Sequence, residues 1–189
     1  MSITVTPACG DDVAELAAVA AATFPLACPP TASPADIEAT IAANLSPQRL
    51  AEYVADPERV LLAAHGDGRI IGYAMLVRGI GDDPDIAAAV PQRPAVELSK
   101  MYVLAAYHNT GASARLMRSG IAWAHDCGAA ALWLGVNRTN ERAQRFYRKH
   151  GFATTGTRRF RLGQSYEDDF VMVRPLRSER TPGLAPRGY

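Results

Sequence analysis

Two apolar runs of the sequence, VLLAAHG and RIIGYAMLV, are separated only by the pair Asp67-Gly68. An Asp-Gly pair favours the two-residue turn that joins antiparallel strands, because both residues tolerate positive φ values. The pattern therefore predicts an antiparallel hairpin over residues 60–77.

The front of the chain is typical of one short strand followed by helices. Ile3 to Thr6 alternates as a strand does, and Asp11 or Asp12 then caps the Ala-rich helix VAELAAVAAATF, which PLACPPTASP interrupts. Ser33-Pro34 and Ser46-Pro47 each place a capping side chain before a proline suited to the first helical position. We therefore expect helices over IEATIAANL and QRLAEYVA.

The second half alternates strands and helices. After a long loop, RGIGDDPDIAAAVPQRPA, the predicted elements are the strand VELSKMYVL, a helix that follows Ala112 and stops at Gly128, the strand ALWLGV, a helix from Asn140 to His150, and the strands FATTGTRRFRL and DFVMVRP. This order predicts a single α/β domain over residues 1–177, in which helices cover both faces of a mixed sheet. The polar, Pro- and Gly-rich tail 178–189 is expected to fray.

Charge and composition exclude several classes of partner. The net charge is +1 and no basic run occurs, which gives no electrostatic reason to expect nucleic acid. No stretch of about 18 apolar residues occurs, so we expect no membrane partner and a cytoplasmic location. The cysteines Cys9, Cys28 and Cys127 are odd in number and form no CxxC pair. We therefore expect no disulfide framework and no metal site.

The stretch YHNTGASARLM, residues 107–117, joins the apolar run MYVL to an amphipathic helix through small residues. A strand, a short turn and a helix start offer free backbone N–H groups and the positive end of a helix dipole, which suit a phosphate. A tight turn without a ligand is an equally open interpretation of this stretch alone. A P-loop is excluded because no Gly-Lys-Ser/Thr follows Gly111, and a dinucleotide fold is disfavoured because Gly111 stands alone.

Two spaced motifs carry a family resemblance. VELSKMYVLAAYHNTGASARLM and LWLGVNRTNERAQRFYRKHGF together resemble the GNAT superfamily of acyl-CoA-dependent N-acetyltransferases. Within that superfamily, LSPQRLAEYVADP, ELSKMYVL, LWLGVNRTNERA and RFRLGQSYEDDFVM are most similar to the PaiA-type polyamine acetyltransferases. The resemblance implies a mostly antiparallel sheet with a splayed central strand, acetyl-CoA as co-substrate, and direct transfer to an amine in a ternary complex.

The resemblance also implies roles for individual residues. Glu97 would be the base that deprotonates the amine, and Tyr147 the acid that protonates the leaving thiolate. The alternatives are an ion-paired strand carboxylate and an aromatic core residue. Val103 N–H would donate to the oxyanion. The implied cofactor-binding residues are Met101, Tyr102, Val103, His108, Asn109, Thr110, Gly111, Ala112, Ser113, Asn137 and Asn140. Asn140 could equally act as a helix cap alone.

The chain departs from the family's pattern at four of these positions. His108 stands for Arg or Gln, Asn109 for Gly, Ser113 for Gly or Ala, and Asn137 for Trp. Because the family holds pyrophosphate through backbone N–H groups, binding can survive such changes, and Asn tolerates left-handed conformations. Asn137 puts the acceptor specificity in question.

Acidic residues are the sequence's only hint about the acceptor. Asp82, Asp83 and Asp85 lie in the long loop, and Glu167, Asp168 and Asp169 precede the last strand. They could recognise spermidine or spermine, or could be solvated turns. Other interpretations are a protein N-terminus or lysine as acceptor, or a CoA-binding sensor without activity. A homodimer is also possible.

Overall fold

The computed structural model describes residues 2–162 and 165–176. Its strands are β1 (Thr4–Pro7), β2 (Arg59–Gly66), β3 (Arg69–Arg78), β4 (Ala95–Val103), β5 (Ala131–Asn137), β6 (Ala153–Leu162) and β7 (Ser165–Pro175). Its α-helices are α1 (Val13–Ala27), α2 (Pro34–Asn44), α3 (Pro47–Ala55), α4 (Pro84–Ala89), α5 (Ala112–Asp126) and α6 (Glu141–Lys149). The strands form one sheet in the order β1-β2-β3-β4-β5-β7-β6, in which only β4 and β5 are parallel.

The predicted hairpin is confirmed as β2 and β3. Gly66 pairs with Arg69, and the two turn residues Asp67 and Gly68 have φ values of 52° and 76°. Two consecutive positive φ values match the right-handed twist of the flanking strands, which explains why Asp-Gly occupies this turn.

Helices cover both faces of the sheet, as predicted. On one face, Leu116 and Met117 of α5 are buried against Leu76 of β3 and its neighbours. On the other face, Leu16 of α1 and Leu50 of α3 are buried in a second cluster. The amphipathic patterns of these helices therefore dictate the layers.

The central strands diverge, as the family resemblance implies. β4 pairs with β5 only over Ala95–Glu97 and Ala131–Trp133. Beyond Trp133, β5 pairs only with β7. A bulge in β4 helps to turn the strand, because Leu98 and Lys100 face the consecutive residues Leu76 and Met75, which leaves Ser99 extra. The result is a V-shaped gap between the ends of β4 and β5.

The helix boundaries correct two predictions. α1 continues through Pro25 to Ala27 instead of ending at Phe24, because Phe24 is buried in the cluster that also holds Leu16. The long loop contains α4, whose first turn is capped by the Asp83 carboxylate and which buries Ile86. Tertiary burial thus overrides the local proline and loop signals.

Asp12 occupies the cap position of α1 but caps no helical N–H; its carboxylate accepts a hydrogen bond from Cys9 N at 2.8 Å. Within residues 2–162 and 165–176, none of the helices has the length and apolar character needed to cross a bilayer. The predicted tail 178–189 lies outside the described residues, and the predicted end of the domain at residue 177 stays a prediction.

Candidate active site

The edge of β4 next to the V-shaped gap exposes backbone groups. Leu104 N donates to Ile71 O at 2.9 Å, on the β3 side. Because antiparallel strands bond a given neighbour through alternate residues, the amides of Met101 and Val103 face the opposite side. β5 has already diverged there, so these groups face the gap and can bind a ligand's amide or carbonyl groups.

The turn after β4 presents the start of α5 to the same gap. Asn109 and Gly111 both have left-handed backbone conformations, with φ of 64° and 90°. The Thr110 hydroxyl donates to Tyr107 O at 2.7 Å and so stabilises the turn. No side chain caps α5 at Gly111. The first-turn N–H groups of α5 and the positive end of its dipole therefore form a binding site for an anion, here called the anion seat.

His108 bonds back to the strand. Its Nε2 lies 3.0 Å from Val103 O, a carbonyl, so Nε2 carries the proton and donates. The imidazole thus donates a hydrogen bond to the Val103 carbonyl at the gap and connects the turn to β4.

Helix α6 forms the opposite wall of the gap. The Asn140 carboxamide caps it by accepting from Ala143 N at 3.0 Å. Tyr147 packs edge-on against Phe146 and Phe152, with ring centroids 5.6 and 5.9 Å apart. Burial raises the pKa of Tyr147 to about 12. Its hydroxyl therefore keeps its proton at neutral pH and can act as an acid.

These elements enclose one cavity of about 210 Å³, here called the splay cleft. It brings together predicted residues from three separate segments, namely Met101, Tyr102, Val103, His108, Ser113, Asn140 and Tyr147. The turn residues Asn109, Thr110, Gly111 and Ala112 join His108 to Ser113 at its edge. Glu97 and Asn137 do not line the splay cleft.

Glu97 lies in a second cavity of about 630 Å³, here called the basic chamber. Its charged lining residues are Glu97, Lys100, Arg158 and Arg161. The Glu97 carboxylate accepts from Arg158 Nη1 at 3.4 Å. The lining of the chamber thus holds three cationic side chains and one carboxylate.

Asn137 lies in a third cavity of about 120 Å³, here called the acidic recess, which also exposes Cys28, Arg158, Glu167 and Asp169. The Asn137 amide donates to Glu167 at 3.4 Å, and Asp169 lies 3.5 Å from Arg158 Nε. Burial raises the pKa of Asp169, while Arg158 acts in the opposite direction.

Tyr102 connects all three spaces, because it lines the splay cleft, the basic chamber and the acidic recess. Its ring packs against Phe24 of α1 and Tyr73 of β3, with centroids 6.3 and 5.8 Å away. Burial raises the pKa of its phenol well above the ordinary value. Tyr102 therefore forms a wall that the splay cleft shares with both the basic chamber and the acidic recess.

The acidic loop residues lie apart from the splay cleft. Asp82 and Asp83 line a further cavity of about 340 Å³ beside Glu97 and Arg158, whereas Asp85 does not. Asp83 is already engaged as the cap of α4. Asp168 lies on β7, 4.0 Å from Arg138 Nη1.

Four cationic residues of the site were missed in the sequence, namely Arg142, Lys100, Arg158 and Arg161. Arg142 lines the splay cleft from the first turn of α6; a cation there opposes the helix dipole, a signal that could have indicated an anionic ligand. Lys100 could have been noticed three positions after Glu97. Arg158 gave no local signal, since it reaches Glu97 across 61 residues of chain.

The comparisons with known proteins agree with this geometry. A sequence model of the Acetyltransferase (GNAT) family matches residues 26–152. Uncharacterized N-acetyltransferases of Mycobacterium tuberculosis and Mycobacterium bovis are 57% identical over 165 residues, which cover 87% of this chain and 98% of theirs.

Solved structures share the fold. The PaiA N-acetyltransferase of Thermoplasma acidophilum, in complex with coenzyme A, is 20% identical with a TM-score of 0.73, covering 93% of this chain and 100% of its own. The ribosomal-protein-S18-alanine N-acetyltransferase of Escherichia coli is 19% identical with a TM-score of 0.63, covering 95% and 98%. The family match covers most of the chain, and it includes the turn and the α6 motif. This chain therefore belongs to the GNAT family and is an acetyl-CoA-dependent acetyltransferase.

Proposed function

We propose that this enzyme acetylates the primary amine of a small molecule by direct attack within a ternary complex. One observation carries the proposal: the splay cleft joins an anion seat, unpaired strand amides and the Tyr147 phenol, while Glu97 lies across Tyr102 in an adjoining cavity. The coenzyme A complex of the Thermoplasma acidophilum neighbour supports the same use of the cleft.

The residues of the splay cleft fit acetyl-CoA as co-substrate. Backbone N–H groups at the start of α5 would bind the pyrophosphate, and the Arg142 guanidinium lies in the same cleft to pair with phosphate oxygens. The Met101 amide would hold the pantetheine arm, which leaves the Val103 N–H for the thioester carbonyl. Acetyl-CoA itself supplies the thioester carbonyl and the thiol leaving group.

Each chemical role falls to a residue of this chain. Most alkyl amines are protonated at pH 7, so Glu97 would accept the amine's proton directly or through water. Val103 N–H would donate to the carbonyl oxygen as negative charge develops on it. The Tyr147 phenol, which is protonated at neutral pH, would donate a proton to the sulfur as the thiolate leaves. No cysteine lines the splay cleft, which supports direct transfer instead of an acyl-enzyme.

The identity of the amine stays a prediction. The PaiA resemblance favours spermidine or spermine, and the carboxylates of Glu167 and Asp169 in the acidic recess support an acceptor with an ammonium group. A protein N-terminus or lysine is the alternative acceptor, and a CoA-binding sensor is the alternative outside enzymology. The cytoplasmic location and the homodimer also stay predictions.

The decisive experiment follows CoA release with a panel of polyamines, amino acids, aminoglycosides and peptides. Release that needs both acetyl-CoA and one class of small amine supports the proposal. Turnover with peptides alone would move the acceptor to proteins. Calorimetric binding of acetyl-CoA without turnover on any acceptor would indicate a sensor instead.

Gly111→Ala is expected to weaken acetyl-CoA binding. Gly111 has φ of 90°, a conformation that costs an L-residue roughly 1–2 kcal/mol, and relaxation of that strain would move the anion seat. We expect KM for acetyl-CoA to rise roughly tenfold, which corresponds to about 1.4 kcal/mol. The acceptor's KM should change little. Steady-state kinetics at saturating acceptor checks this.

Gly68→Ala is the matched control, since Gly68 also has a positive φ of 76° and also has open space where a Cβ would lie. Gly68 lies in the β2–β3 turn, away from the splay cleft. Gly68→Ala should lower the thermal midpoint of unfolding without a change in KM for acetyl-CoA. Equal KM effects in both variants would contradict a binding role for Gly111.

A further inference from the structure

The charges of the two side cavities are separated. The basic chamber combines Lys100, Arg158 and Arg161 with only Glu97, whereas the acidic recess combines Glu167 and Asp169 with only Arg158. The recess shares both Ala27 and Tyr102 with the splay cleft, but the chamber shares only Tyr102. Cationic side chains therefore outnumber carboxylates in the chamber, and carboxylates outnumber cationic side chains in the recess.

Lys100 differs from the arginines of the chamber. Arg158 is ion-paired with both Glu97 and Asp169. Among the described residues, by contrast, no carboxylate lies within 4.0 Å of the Lys100 ammonium, which instead sits 5.6 Å from the centroid of the Tyr53 ring. A partly buried ammonium without an anionic contact lacks charge compensation, which a bound anion would supply.

The surroundings of Lys100 lower the pKa of its ammonium group. Burial lowers the pKa of Lys100 to about 8; Glu97 on the same strand opposes this, and Arg59 of β2 and Arg158 of β6 reinforce it. A ligand with an anionic group would offset both the burial and the repulsion from these guanidinium groups. A polyamine would instead bring further positive charge into the chamber.

We propose that the acceptor is a primary amine that also carries an anionic group, a carboxylate or a phosphate, which Lys100 binds in the basic chamber. The inference rests on the proposed amine acetylation. The acid end would stay beside Lys100 in the chamber of about 630 Å³, and the amine end would reach the thioester past Tyr102, which lines both the chamber and the splay cleft. Lys100 is then a specificity-determining residue, and the enzyme's substrates resemble amino acids more than polyamines.

Matched acceptor pairs test the anionic group directly. Ornithine and putrescine differ only by a carboxylate, as do lysine and cadaverine, while O-phosphoethanolamine and ethanolamine differ by a phosphate. We expect kcat/KM to be at least tenfold higher for the acidic member of one pair, the scale of a charge-assisted hydrogen bond. The carboxylate and phosphate pairs identify which anion is used. Equal or better turnover of the decarboxylated or dephosphorylated members would overturn the proposal.

Lys100→Met keeps the length of the side chain and removes its charge. It should lower kcat/KM about tenfold or more for the acidic acceptor, mainly through KM, and leave its amine partner unchanged. The chain's other lysine, Lys149, lies exposed near the end of α6, so Lys149→Met is the control and should have no effect. Loss of turnover on both members of a pair would assign Lys100 to stability or chemistry and overturn the proposal.

Calorimetry separates failure of this inference from failure of the proposed function. If the acceptor's anionic group is a carboxylate, N-acetylornithine should bind at least tenfold more tightly than N-acetylputrescine in the presence of CoA. If it is a phosphate, O-phosphoethanolamine should bind at least tenfold more tightly than ethanolamine. That preference should disappear in Lys100→Met. Preferential binding of the acidic ligands without turnover would contradict the proposed amine acetylation and support the anion site at Lys100. Turnover of amines without preferential binding would support amine acetylation and contradict the anion site.

The pH dependence gives an independent prediction. Because the pKa of Lys100 is about 8, its charge is present below pH 8 and is lost above it. Binding of the acidic ligand should therefore weaken about tenfold for each unit of pH above 8, until its affinity reaches that of the neutral analogue. Lys100→Arg, which stays charged, should flatten the profile. A wild-type profile that is flat between pH 7 and 10 would contradict the assignment.

Discussion

Glu97→Gln is expected to lower kcat by roughly 10²- to 10³-fold, the range that general-base catalysis contributes. The carboxylate lies on β4 two residues before the bulge at Ser99, in the chamber that Tyr102 separates from the splay cleft. Glutamine keeps the shape and cannot accept the amine's proton. Because the fraction of unprotonated amine rises with pH, the deficit should shrink at high pH. Kinetics with saturating acetyl-CoA from pH 7 to 10 measure this.

The ion pair with Arg158 provides the competing explanation, in which Glu97 only positions a guanidinium. Glu52→Gln is a suitable control, since Glu52 is also paired with an arginine, Arg49, on the surface of α3. The control should leave kcat unchanged. If Glu97→Gln lowers the thermal midpoint while kcat and its pH profile stay as in the wild type, the base assignment is wrong.

Local signals in the sequence predicted most of the fold. The Asp67-Gly68 turn, the Ser-Pro helix starts and the apolar run ALWLGV each have a physical cause within a few residues, so the elements they predict are present. The end of α1 and the helix α4 were not predicted. The end of α1 depends on the burial of Phe24, and α4 depends on the burial of Ile86. In each case the side chain is buried among residues that are distant in sequence.

The candidate site likewise has features that local sequence motifs predict and features that depend on residues distant in sequence. Backbone features such as the turn at Gly111 and the cap at Asn140 follow from short motifs, and the structure brings them to one cleft. The charges of the side cavities do not follow from motifs, because Glu97, Arg158 and Asp169 come from β4, β6 and β7 and meet only through sheet pairing. Acidic residues along the chain indicated either a polycation site or solvated turns, and both stay predictions; the fold alone gathers Lys100, Arg158 and Arg161 with Glu97 in the larger chamber.

Gly135 illustrates why such pairing is invisible along the chain. A Cβ at Gly135 would lie 2.3 to 2.5 Å from the Arg158 guanidinium, so the glycine makes room for that side chain over β5. Arg158 also stacks 5.6 Å from the centre of the Trp133 ring. The guanidinium thus packs against β5, and it forms ion pairs with both Glu97 and Asp169. It is a structural link between the basic chamber and the acidic recess.

Tyr147→Phe is expected to lower kcat by about 10²-fold, because it removes the phenolic proton and leaves the ring. The contacts with Phe146 and Phe152 involve only the ring, so the thermal midpoint and KM for acetyl-CoA should change little. Tyr107→Phe is the control: it removes a hydroxyl that donates to Asp67 at 3.3 Å outside the splay cleft, and should leave kcat unchanged. A drop in kcat with unchanged KM would place the phenol's contribution after substrate binding, at proton transfer to the sulfur. An increase in KM for acetyl-CoA with unchanged kcat would instead make Tyr147 a wall of the cleft, and the thiolate would then take its proton from water.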